Sequence, residues 1–204
     1  MKLALFGATG GTGHQVLLQA LEQGHSVTAL ARDPDRLKAR QAALTVVAGD
    51  VLDREAVARC VDGSEAVICV LGTRRGAEPI EARGTEVILA AMQGAGVRRL
   101  IAVTSLGVGD SRDQVPFYFK LMMKTFLSKV MAAKEEQEQL IRASGLDWTI
   151  VRPGGLTDAP KSRNYRHGVD GSIRAGRIAR ADVADFVLSE LRERQFVHQA
   201  PAVS

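Results

Sequence analysis

Gly7, Gly10 and Gly13 recur at intervals of three between a short apolar run, Leu3 to Phe6, and the amphipathic run Val16, Leu17, Leu18, Ala20 and Leu21. A glycine-spaced turn between a buried strand and a helix suits one kind of chemistry, the holding of a pyrophosphate. Gly7 permits the sharp turn, Gly10 lets backbone approach the phosphates, and Gly13 lets the helix pack closely on the strand. The free N–H groups around Thr12 and Gly13 then face the anion from the positive end of the helix. The spacing G-x-x-G-x-x-G differs from the commoner G-x-G-x-x-G, so its specificity comes from context. It follows a strand, opens a helix and precedes a second apolar strand, His25 to Ala31, at the distance a strand–helix–strand unit requires.

That second strand ends in Ala31-Arg32, with Arg36 one turn further on. At this place an NAD-binding chain presents an acid to the ribose 2′-hydroxyl, whereas an NADP-binding chain offers arginine to the 2′-phosphate. The planar guanidinium fork holds phosphate oxygens bidentately, which favours NADP(H). Asp33, beside Pro34, reads as a helix-starting cap; the competing readings are a ribose-binding acid for Asp33 and a solvated helix charge for Arg36. Asp50, after Gly49 at the end of a third strand, is placed either to accept from the adenine amino group or simply to shape a turn.

These residues need a scaffold that brings distant segments to one rim. Apolar runs at Leu44–Ala48, Ala66–Leu71, Leu100–Thr104 and Trp148–Val151 alternate with helical spacing at Arg54–Val61, Ile80–Gln93, Pro116–Ala143 and Asp182–Arg192. Asp182 reads as a capping-type residue at the start of the last helix. Strict alternation predicts an α/β, Rossmann-type doubly wound parallel sheet, a single domain over residues 1–204. Ligands then sit beyond the carboxyl ends of the strands. That collects Gly7 to Gly13, Arg32, Asp50, Leu71, Gly72, Arg74, Thr104, Ser105 and Pro153 with Gly154 and Gly155. The irregular stretch Thr157–Gly171 carries Lys161, Arg163, Arg166 and His167, expected to overhang the same rim.

Composition narrows the classes. Hydrophobic residues make up 46% and charged residues 25% of the 204, as in an ordinary globular protein. The net charge of +4 is scattered rather than clustered, which argues against nucleic acid as a partner. No stretch approaches the ~20 apolar residues of a membrane span, and no signal-peptide pattern opens the chain, so a cytoplasmic location is expected. Cys60 and Cys69 lack metal-ligand spacing and fall in apolar patterns, as structural thiols do, and no metal site is expected.

The segments Phe6–Gly13, Ala31–Asp33 with Arg36, Gly49–Leu52, Val70–Arg74, Thr104-Ser105 and Ser144–Leu146 through Val151–Gly155 together resemble the atypical short-chain dehydrogenases/reductases. The resemblance is to the group holding the biliverdin reductase B or flavin reductases and the NmrA-like NAD(P)H-binding proteins, and it spans nearly the whole chain. It implies phosphate contacts from Thr9, Gly10, Thr12 and Gly13, 2′-phosphate contacts from Arg32 and Arg36, an adenine pocket at Asp50, Val51 and Leu52, and a clamp from Arg74. Ser105 matches the active-site serine of those reductases. Lys134 stands where some NmrA-like and isoflavone-reductase-type relatives carry a functional lysine; its own setting, with Glu138 four residues on, reads as a solvated helix lysine.

The Tyr-x-x-x-Lys pair of the better-known dehydrogenases is missing, since Tyr118 is followed four residues later by Met122 and Tyr165 by Val169. Ketone reduction and sugar-nucleotide epimerisation need a dedicated proton donor and lose ground. Hydride transfer to a flavin, bilin or quinone needs chiefly stacking and exclusion of water, with protons from solvent. The apolar run Phe117–Met131 exceeds one core-facing stripe, which points to an acceptor pocket or a homodimer contact. The expectation is an NADPH-dependent reductase of such acceptors; the alternative is a non-catalytic NADPH-binding sensor or regulatory protein.

Overall fold

The computed structural model describes residues 1–37, 42–73, 76–117, 119–121 and 127–204. Strand β1 (Lys2–Phe6) is buried beyond its first residue, and its alternate side chains serve opposite faces of the sheet. Leu3 and Leu5 enter one apolar cluster, and Ala4 and Phe6 enter the other. This period-two division of a wholly apolar strand is what a sheet covered on both faces demands.

In chain order there follow α1 (Gly11–Glu22), β2 (Ser26–Ala31), β3 (Leu44–Ala48), α2 (Arg54–Val61), β4 (Ala66–Cys69), α3 (Glu81–Ala95) and β5 (Arg99–Val103). Then come α4 (Ser128–Ala143), β6 (Asp147–Pro153), β7 (Gly155–Thr157), β8 (His167–Gly168), β9 (Arg177–Ala179), α5 (Arg180–Glu193) and β10 (Ala202–Val203). The main sheet has the order β3-β2-β1-β4-β5-β6-β10-β8, and β7 pairs with β9 in a small separate ribbon. Strands β1 to β6 and β10 pair in parallel, while β8 joins the edge antiparallel to β10. The expected doubly wound sheet is therefore present, and its order reverses between β1 and β4, where such sheets open a crevice.

Helices α1 and α5 cover one face, burying Val16, Leu17, Ala20, Val183, Val187 and Leu191. Helices α2, α3 and α4 cover the other with Val57, Cys60, Ile88, Met92 and Ile141. Both cysteines are buried and free. Burial pushes the Cys60 thiol up to about 12, so it stays protonated.

Three expectations are corrected. The helix expected to run unbroken over Pro116–Ala143 is helical at Phe117 and at 119–121 but not at Leu127, and α4 starts at Ser128; Tyr118 and residues 122–126 lie outside the described residues. The last helix starts at Arg180, not Asp182, because Asp182 turns its carboxylate outward to the 162–163 segment. It accepts from the Ser162 N–H and hydroxyl and the Arg163 N–H, each at 2.8 Å. The stretch Thr157–Gly171 is less irregular than expected, since β8 lies within it. No helix among the described residues is long and apolar enough to cross a membrane.

Candidate active site

A cleft of about 810 Å³ opens at the switch point between β1 and β4, bordered by the glycine turn, the ends of β2, β4 and β5, and the starts of α3 and α5. Gly7 is there because its φ is +88° and a β-carbon on it would overlap the Val70 carbonyl. A β-carbon on Gly13 would overlap the Gly7 carbonyl, so the helix starts this close to β1 only with glycine. Gly10 is different: a β-carbon on it would meet Gly7 O at an ordinary 3.4 Å. Its bareness serves space in the cleft rather than packing. Gly10 caps α1 with no side-chain hydrogen bond, and the first turn holds no acid. The first intrahelical bond is His14 N–H to Gly10 O, at 2.8 Å. The N–H groups of residues 11 to 13 thus remain available at the positive helix end, and a phosphate fits them.

Arg32 and Arg36 border the cleft, with Gly7, Thr9, Gly10, Thr12, Gly13, Asp50, Val51, Leu71, Gly72, Thr104 and Ser105. Asp33 caps a short 3-10 turn, accepting from the Asp35 N–H at 3.2 Å. Asp50 shapes its own turn, accepting from the Leu52 N–H at 2.9 Å, and its other oxygen lies 3.8 Å from Arg32 Nε. The side chain of Leu52 packs against the apolar cluster under α2 and α3. Pro153 is drawn into β6 beside Val203, its carbonyl accepting from Leu106 N–H at 3.0 Å. Neither Leu52 nor Pro153 borders the cleft, contrary to expectation. Arg74 lies outside the described residues.

The hydroxyl of Thr104, at the border of the cleft, donates to Glu138 Oε1 at 2.7 Å. Glu138 also accepts from Arg152 Nε at 3.0 Å and from its Nη2, and Arg152 reaches Asp110 with Nη1. Burial pulls the Arg152 guanidinium down, but its two carboxylate partners outweigh that and hold it above its ordinary range. This buried network locks the ends of β5 and β6 to α4. Ser105, next in the chain, donates weakly to the Leu106 carbonyl at 3.1 Å and stays at the cleft.

Lys134 is the main revision. It borders the cleft instead of standing on a solvated face. Glu138, its expected partner, is committed to Arg152 and Thr104. The signal was readable in the phase of α4: Val130, Lys134, Gln137 and Ile141 share one stripe, and Gln137 and Ile141 are buried. Burial pushes the Lys134 ammonium below the usual lysine range, partly opposed by the charges of Glu81 and Glu138.

Two more residues escaped sequence reasoning. Glu81, fully buried at the start of α3, accepts from the Thr73 N–H at 3.0 Å, the Thr73 hydroxyl at 2.5 Å and the Ile80 N–H at 3.0 Å. Arg180 borders the cleft from the start of α5. The basic loop expected to overhang the rim is held elsewhere. Lys161 bonds Gln19 at 3.0 Å and pairs with Asp185 at 3.4 Å, as does Arg163. The ring of His167 packs on Phe186 and Phe196. Of the apolar run, Val130 borders the cleft, Phe119 packs on a small satellite cluster, and Phe117 is 81% exposed.

Comparison with known proteins accords with this geometry. A family model described as NAD(P)H-binding matches residues 7–194. An uncharacterised chloroplastic protein of Arabidopsis thaliana is 31% identical over 205 residues, covering 95% of this chain and 73% of the relative. The (4-alkanoyl-5-oxo-2,5-dihydrofuran-3-yl)methyl phosphate reductase of Streptomyces griseus is 35% identical over 147 residues, 72% of this chain but 45% of the relative. Among solved structures, the anaerobilin reductase ChuY of Escherichia coli O157:H7 superposes with a TM-score of 0.84 at 28% identity, covering 100% of this chain and 96% of that one.

Proposed function

The chain belongs to the NAD(P)H-binding family, and from that membership we propose that it is an NADPH-dependent reductase of planar conjugated acceptors such as flavins, bilins or quinones. One observation carries the reading: the phosphate-type glycine turn, two arginines at the end of β2, and a serine and a half-buried lysine amine border a single cleft. Reductase is also the activity named for the Streptomyces and Escherichia relatives. Arg32 and Arg36 favour the 2′-phosphorylated nucleotide, as Asp33 spends an oxygen on its own turn.

When bound, the reduced nicotinamide supplies a hydride. The acceptor takes that hydride with its electron pair and one proton, and becomes the dihydro product. Ser105 orients the acceptor or the nicotinamide amide by hydrogen bonding, and Val130 and Leu156 offer apolar contact. Lys134 provides the proton from Nζ and is reprotonated from solvent through the open cleft. A protein donor thus replaces the solvent proton that the missing tyrosine pair had suggested.

Mixing the protein with NADPH and FMN, biliverdin or a quinone is expected to give steady loss of the reduced-nicotinamide absorbance. Tight NADPH binding with no oxidation by any of the three would support a cofactor sensor instead. Lys134→Met is expected to lower kcat about 100-fold while NADPH affinity changes less than about twofold. A donor must be charged, and burial favours the neutral amine, so wild-type activity is held at low pH and falls as pH rises through a pKa below the usual lysine range. That alkaline limb should be absent in the variant. Wild-type kcat in Lys134→Met would return the proton to solvent.

A further inference from the structure

Arg180 is the first residue of α5, yet its side chain lies against the first residue of α1. A β-carbon on Gly11 would stand 2.8 Å from both Cδ and Nε of Arg180 and 3.6 Å from Cζ. Glycine at 11 therefore leaves room for a guanidinium beside the available N–H groups of the phosphate turn, and Arg180 borders the same cleft. A cation is disfavoured near a helix N-terminus. Arg180 stands in the first turn of its own helix and alongside the first turn of another. The acid in the α5 first turn, Asp182, is engaged by the 162–163 segment. The first turn of α1 has none. Arg180 pairs with Asp158 at 2.7 Å, whose side chain is 90% exposed against 27% for the arginine. Such a pair contributes little in water. A phosphate between the guanidinium and α1 would be held from both sides by charge-assisted bonds.

The geometry points to Arg180 as a binding residue for the pyrophosphate bridge, exchanging Asp158 for the phosphates when the dinucleotide enters. This rests on the NAD(P)H binding of the proposed function but not on the acceptor. The role differs from that of Arg32 and Arg36, because the bridge is common to NADH and NADPH.

Calorimetric titration of the full chain with NADPH, NADH and 2′-AMP tests it, since 2′-AMP carries the 2′-phosphate without the bridge. Arg180→Gln is expected to raise Kd about tenfold for both dinucleotides, keeping their ratio, and to leave 2′-AMP unchanged. Arg180→Lys should recover part of the loss, and Asp158→Asn should tighten both dinucleotides about two- to threefold. Unchanged dinucleotide affinity in Arg180→Gln, or an equal loss for 2′-AMP, overturns this assignment alone. A wild-type chain that binds neither dinucleotide overturns the proposed function and this assignment with it.

Discussion

Protein carrying both Arg32→Ala and Arg36→Ala is expected to bind NADPH at least about 100-fold more weakly, with NADH affinity changed by less than about threefold. Each guanidinium can place a charge-assisted bond on the 2′-phosphate, worth about 1.5–3 kcal/mol apiece. Among the described residues neither arginine has a strong side-chain partner: the pair between Arg32 and Asp50 is 3.8 Å long, with both side chains substantially exposed. NADH lacks the phosphate and so has little to lose. Titration of the double variant with both nucleotides checks the claim. An equal loss for the two would show that the arginines act on the shared part of the molecule, and the preference for the phosphorylated form would go with it.

Glu138→Ala is expected to lower the unfolding free energy by about 3–5 kcal/mol, measured by urea denaturation. Glu138 and Arg152 are each only 4% exposed. Removing the carboxylate strands a buried guanidinium, leaving it the exposed Asp110 and the loss of Glu138's bonds to Thr104 and Arg152. Replacing both members, Glu138→Met with Arg152→Met, should recover most of the loss, because apolar side chains of similar volume need no charged partner. A deficit under about 1 kcal/mol in Glu138→Ala would mean that the network does not hold β5 and β6 to α4.

Much of this architecture was legible in the chain because continuous apolar runs and helical stripes report burial directly. Leu44–Ala48 and Arg54–Val61 match β3 and α2 residue for residue, and the glycine turn announced its own geometry. Polar residues were harder, because their partners are distant in sequence. Asp182 resembles a helix cap until the 162–163 segment folds across to claim it. Lys134 and Glu138 look like a helical ion pair, but Arg152 takes the acid, and the lysine is left facing the cleft. Arg180 offers no local sign at all, since its neighbour Gly11 lies at the far end of the chain and meets it only after α1 and α5 pack together. Periodicity encodes which side chains are inside, not which of the inside polar groups find each other.

The tether at Glu81 bears on how this site can change over evolutionary time. One carboxylate, carried on α3, secures the chain at both Thr73 and Ile80, so the stretch from β4 into α3 has two anchor points that depend on no sheet ladder. Such a stretch is an exchangeable cassette: its length and residues can be rewritten to suit a different guest while the two knots, and the sheet behind them, stay as they are.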